Sequence, residues 1–135
     1  MQQAAQPTPL SLRILAVVLV LFGLLAFLGS TLLWGQGSIL QPPEGVALAF
    51  PITDMFVNAP ASMAAAVGLW RLRRFGYRAA YFVAGFYIYA SVYIFVEVAG
   101  GGPPYAVEII VPQVLAVLAA VALLIVPERY RERFQ

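Results

Sequence analysis

The chain has 135 residues, of which 62% are hydrophobic and 10% charged, with a net charge of +2. Soluble domains carry about 25% charged residues, and a fold of this length in water cannot hide so much apolar surface; composition therefore excludes an ordinary soluble domain. There is no Cys and no His, which excludes disulfides, thiolate chemistry, the usual zinc and haem ligands and the commonest base at neutral pH. No metal and no cofactor is expected. All eight basic residues are arginine, as a GC-rich bacterial genome would encode. Each arginine cluster abuts an apolar run, so the natural partner is the lipid bilayer and its anionic headgroups, not nucleic acid.

In chain order, residues 1–10 read as a flexible tail, small and polar without periodicity. Ser11 suits a helix cap, and Arg13 flanks the first apolar run, 14–34. About 20 apolar residues cross a bilayer. The competing reading, a cleaved signal peptide, needs a shorter apolar run and a small-residue cleavage site, and this run has neither. Gly35, Gly37 and the Pro42-Pro43 pair mark a loop ending at Glu44. A second run, 47–70, contains Asp54, Asn58 and Pro60. The stretch Trp70–Arg78 then gathers Arg71, Arg73, Arg74 and Arg78, with Gly76 as the expected breaker. A third run, 79–99, is rich in aromatics and ends at Gly100-Gly101-Gly102-Pro103-Pro104. A fourth, 105–126, leads through Pro127 into a basic tail, 127–135.

The fold class this predicts is an all-α integral membrane protein, a single domain of four transmembrane helices in one bundle. Small residues recur at spacings of three or four: Gly23, Ala26 and Gly29; Ala64 and Gly68; Ala80 and Ala84; Ala116 and Ala120. Such spacings let helix backbones approach in lipid. All the arginines, with Arg129, Arg131 and Arg133 in the tail, fall on one side of the spans; that side should be cytoplasmic, with both termini inside. These arginines, Arg13 apart, are the expected headgroup contacts. Trp34, Trp70, Tyr77 and Tyr105 sit at span ends, where amphipathic rings favour the interface. In the tail, Tyr130 and Phe134 share a helical face among arginines, which suits either a short amphipathic helix on the inner leaflet or a frayed topological anchor.

This topology puts three carboxylates, Asp54, Glu97 and Glu108, near the outer ends of spans two, three and four; Glu128 and Glu132 should be solvated in the tail. An ionisable group at membrane depth is costly and marks a candidate site. Asp54 and Glu108 also suit the first turn of a helix; Glu97, at a helix C-terminal end, lacks that explanation. Asp54, Asn58 and Ser62 form an i, i+4, i+8 stripe, and Tyr89, Tyr93 and Glu97 a matching one. Pro60 and Pro112 each withhold a donor from a carbonyl four residues back, next to Asn58 and Gln113. The candidate ligand-binding set is therefore Asp54, Asn58, Tyr93, Glu97, Glu108 and Gln113, all carrying hard oxygen donors or acceptors. The competing reading is that the prolines only shape packing. No phosphate loop, nucleophile elbow, zinc motif or dinucleotide fingerprint is present, and no catalytic residue is expected.

Three functional expectations follow. The leading one is a non-catalytic subunit or accessory of a complex in a bacterial plasma membrane, its lipid-facing surface covered by a partner membrane protein; a homo-oligomer would suit the reading that comes next. The next is an oligomeric transporter-like protein that binds a cation or small ligand at the outer carboxylates. The third is a membrane enzyme acting on a lipid-soluble substrate by carboxylate and tyrosine acid–base catalysis. Separately, Tyr81, Tyr87, Tyr89 and Tyr93 of span three suit either core packing or a stacking site for a flat lipid-soluble ligand.

Overall fold

The computed structural model describes residues 7–35, 51–100 and 107–135, with side chains described for 7–32, 51–100 and 110–135. Of the expected loop Gly35–Glu44, Gly35 is helical and the rest lies outside the described residues, as do the start of the second run, residues 101–106 and the side chains of Trp34 and Glu108. Among those described there are helices and no strands. Helix α1 spans Leu10–Gly35. A second helical segment, Pro51–Trp70, has a π-helical turn at Asp54–Asn58 followed by α2, Ala59–Trp70. Helix α3 spans Arg74–Ala99 and α4 spans Val107–Ile125. A short 3-10 helix, Glu128–Arg133, follows. Leu10–Leu32, Pro51–Trp70 and Arg74–Ala99 are each long and apolar enough to cross a membrane; α4 carries a shorter apolar stretch, Ile110–Ile125.

Two boundaries differ from expectation. Helix α1 begins before Ser11, whose hydroxyl donates to the Tyr130 hydroxyl at 3.3 Å instead of capping a helix. Helix α3 begins at Arg74, inside the arginine stretch, so Gly76 is not a breaker. The turn between α2 and α3 is only Arg71–Arg73. It is closed by the Arg73 N–H donating to the Gly68 carbonyl at 2.8 Å and the Leu72 N–H to Leu69 at 3.2 Å, with Leu72 itself at φ 52°. Gly76 is buried against Gly68, and the two backbones are in direct contact: a Cβ on either would overlap main-chain atoms of the other.

Helices pack in chain order: α1 on α2, α2 on α3, α3 on α4. Helix α1 meets α4 only slightly, leaving an apolar groove of about 670 Å³ along that side. The interior is built largely of small side chains, with Ala65, Ala66, Ala80, Ala84, Ala116 and Ala120 buried beside Leu12, Leu19, Leu69 and Leu123. Of the small-residue pairs, Ala80 with Ala84 and Ala116 with Ala120 lie at helix contacts, whereas Ala64 faces outward. Large side chains such as Leu25, Phe56, Phe82, Val96 and Leu118 are on the outside. An interior this rich in Ala, Gly and Ser beneath an outer layer of Leu, Phe and Val departs from a soluble core.

The tail neither frays nor runs as an amphipathic helix. It folds back under the α2–α3 turn. The Gln135 N–H donates to the Leu72 carbonyl, and the Arg74 N–H donates to the Gln135 carbonyl, each at 2.9 Å. Tyr130 leaves helical geometry (φ −118°, ψ 17°), and Phe134 is buried with its ring 5.4 Å from that of Tyr77. Glu128, expected to be merely solvated, accepts hydrogen bonds from the Tyr77 hydroxyl and, at 2.8 Å, the Tyr81 hydroxyl. With the Arg13 guanidinium 5.7 Å from the Trp70 ring and the Thr8 hydroxyl donating to the Trp70 carbonyl, these contacts bring all eight arginines to one end of the bundle.

Two tests follow. Gly68→Ala or Gly76→Ala should destabilise the fold by about 1–3 kcal/mol through overpacking, in an unfolding equilibrium measured in detergent. Gly85→Ala, where a Cβ meets nothing within 4 Å, should be neutral or stabilising by up to about 1 kcal/mol. The second test concerns pH. The hydroxyls of Tyr77 and then Tyr81 hold the Glu128 carboxyl below its ordinary value of 4.5. A lowered folded value means that this contact contributes fully above pH 4.5 and is lost as pH falls through the folded value. Tail amides should therefore lose exchange protection on acidification, after correction for intrinsic rates, and Glu128→Gln should abolish that pH dependence.

Candidate functional site

The π-helical turn introduces the candidate site. In an α register the Pro60 ring would crowd the Phe56 carbonyl and supply no donor. The backbone widens just before it, and the Ala59 N–H reaches the Asp54 carbonyl five residues back. Such turns recur at functional sites, and this one carries Asp54 and Asn58.

From there the polar side chains form a line into the interior. Asn58 Nδ2 donates to Asp54 Oδ1 at 3.0 Å. Ser62 Oγ donates to Asn58 Oδ1 at 3.1 Å and lies 3.0 Å from the Tyr87 hydroxyl on α3. A serine has one proton to give. Since Ser62 spends it on Asn58, Tyr87 must donate to Ser62. All donors therefore point one way, from Tyr87 through Ser62 and Asn58 to the Asp54 carboxylate, and each bond polarises the next. Ser62 is fully buried, Asn58 and Tyr87 nearly so, and Asp54 is half-buried at the head of the line. The Phe22 ring of α1 packs 5.5 Å from Tyr87. One turn further along α3, buried Ser91 shares its single proton between the main-chain and side-chain oxygens of Gln113 on α4, each at 3.2 Å. No buried side-chain polar atom among the described residues lacks a partner.

The structure thus divides the candidate set. Asp54 and Asn58 are joined to each other, and Gln113 is joined to α3. Tyr93 and Glu97 are half-buried, off the line made by Tyr87 and Ser91. The Glu108 side chain lies outside the described residues. The expected stripe of Tyr89, Tyr93 and Glu97 is not the inward face of α3: Tyr89 is 69% exposed. The inward face is Gly76, Ala80, Ala84, Tyr87 and Ser91, because the Gly68–Gly76 contact sets the rotation of α3 about its axis. Ser91 and the role of Tyr87 were missed by sequence reasoning. Their signal was present, since they continue the small-residue spacing 76, 80, 84 at helical intervals. Among the described residues no group of three or more acids is placed to hold a metal ion.

No family model matches the chain, and no curated protein or solved structure matches it.

A double-mutant cycle tests the line. Ser62→Ala and Tyr87→Phe should each destabilise the protein. Their coupling should be about 0.6 kcal/mol and at most about 1.7 kcal/mol, the range for hydrogen bonds between helices in lipid. Additive losses in the unfolding equilibrium would mean the two hydroxyls do not interact.

Proposed function

We propose that the chain is a multi-pass protein of a bacterial plasma membrane, with four spans and both ends in the cytoplasm. Its role is that of a non-catalytic subunit or accessory that lends a helical surface to a membrane partner. The membrane assignment is supported by the outward-facing large apolar side chains and by the helix lengths. The orientation is supported by the gathering of the arginines at one end, which the positive-inside rule makes cytoplasmic.

The observation that carries the accessory role is the open side of the bundle. Helices α1 and α4 stand apart along a groove lined by Ile14, Val18, Leu25, Leu115 and Leu118 among others. In lipid, helices associate through close packing rather than through hydrophobic expulsion, and a two-walled groove offers one further helix contacts on both flanks. A second reading, a transporter-like protein binding a small ligand, draws on the π turn and the half-buried Asp54 at the head of the hydrogen-bonded line.

Native mass spectrometry of the protein extracted gently from its own membrane separates the two. Emergence at fixed stoichiometry with another membrane polypeptide is the expected result. Emergence alone or as a homo-oligomer, with full stability, overturns the accessory role and moves the ligand-binding reading ahead. The native chain has no cysteine, so single cysteines at positions 3, 73 and 135 give a clean check of orientation. All three should react with an impermeant maleimide only from the cytoplasmic side.

A further inference from the structure

We propose that a second groove, between α1 and α2 at the arginine end, is a binding site for one anionic phospholipid. Its acyl chain lies along the groove and its phosphate sits between Arg71 and Arg13. This rests on the membrane reading above, and it names a lipid class and a site within it.

The groove holds about 350 Å³. Its floor is low because Ala16 and Ala66 are buried alanines, and its walls are Val17, Leu21, Val67 and Trp70, each about half exposed. Such a furrow, apolar along its length, takes a single flexible chain. Its mouth is different in character. Arg71 lines it directly, and the Arg13 guanidinium stands 5.7 Å from the centre of the Trp70 ring. Two arginines thus adjoin the Trp70 end of the groove, Arg13 through its guanidinium and Arg71 as a lining residue, and on the membrane reading tryptophan is favoured at such an apolar–polar boundary. Among the described residues neither arginine is paired with a carboxylate; the ion pair there is Arg131 with Glu128, at 3.6 Å. Guanidinium forks bind phosphate oxygens in pairs, and the cytoplasmic leaflet is the one that presents anionic headgroups.

The mouth is also held in place. The Thr8 hydroxyl donates to the Trp70 carbonyl at 2.7 Å, and the Arg71 N–H donates to the Val67 carbonyl at 3.0 Å. The Gly68–Gly76 contact fixes this end of α2 from the other side. The main chain that carries these side chains is thus fixed beside a preformed furrow, which distinguishes the site from a diffuse basic surface.

The test uses the full chain with Trp34→Phe, which leaves Trp70 as the single tryptophan. It is reconstituted in vesicles of phosphatidylcholine and phosphatidylglycerol, with one or the other brominated on its acyl chain at equal mole fraction. Bromine quenches an indole it touches. Trp70 should be quenched more strongly by brominated phosphatidylglycerol. Arg71→Gln and Arg13→Gln should each lower the relative affinity for that lipid about fivefold, with the helical circular dichroism unchanged. Arg133→Gln removes the same single charge from the tail and should leave the preference intact. Equal quenching by the two lipids overturns the site. So does a tail variant that loses as much preference as the groove variants, since the attraction would then be diffuse. Absence of quenching by either lipid overturns the membrane reading itself and the site with it.

Discussion

The contact between Gly68 and Gly76 is the constraint on which the other helix positions depend. Two backbones touch there without a side chain between them, and only glycine permits that approach. The contact closes a turn of three residues, Arg71–Arg73. It thereby fixes the depth at which α2 and α3 meet and the rotation of α3 about its axis. The residues that follow Gly76 at helical spacing, Ala80, Ala84, Tyr87 and Ser91, are carried to the inside. The same turn offers the Leu72 carbonyl and the Arg74 N–H to Gln135, so the tail docks on the hairpin and sets Phe134 against Tyr77.

Among the described residues, half of the buried hydrophobic side chains are alanines, whose shapes do little to specify one arrangement over another. Hydrogen bonds supply that specificity. Tyr87 reaches Ser62 across the α2–α3 interface, and Ser91 reaches Gln113 across the α3–α4 interface. In hydrocarbon an unpaired hydroxyl or amide is costly, so a rotated or shifted α3 would lose both contacts together. Four apolar helices that could slide in many registers are thus held in one.

Much of this was legible from the sequence. The four apolar runs, the arginine clusters and the i, i+4, i+8 spacing of Asp54, Asn58 and Ser62 all follow from one-dimensional pattern, and the last of these is a continuous hydrogen-bonded line in the structure. The rotation of α3 was harder to read. Tyr89, Tyr93 and Glu97 have the same spacing as Tyr87 and Ser91, and hydropathy does not distinguish two polar stripes on one aromatic helix. What decides is the close approach at Gly76, and a glycine in an arginine-rich stretch reads locally as a breaker. The tail was misread for a related reason. The pairing of Tyr130 with Phe134 presumes an α-helix, and the chain instead adopts 3-10 geometry with a break at Tyr130, because both rings have partners on the bundle: Ser11 for one and Tyr77 for the other.

The two ends of the bundle are built differently. The arginine end is cross-linked: Thr8 to Trp70, Ser11 to Tyr130, Tyr77 and Tyr81 to Glu128, and Gln135 to the α2–α3 turn. These bonds tie residues distant in sequence into one network. Toward the other end the α2 segment contains a π turn, and α4 is joined to the described bundle mainly through α3. The bundle is thus tied together at one face and open along α1 and α4, and the accessory role proposed above would use the open side and leave the hairpin undisturbed. That asymmetry follows directly from where the glycine contact lies, next to the arginines and far from Asp54.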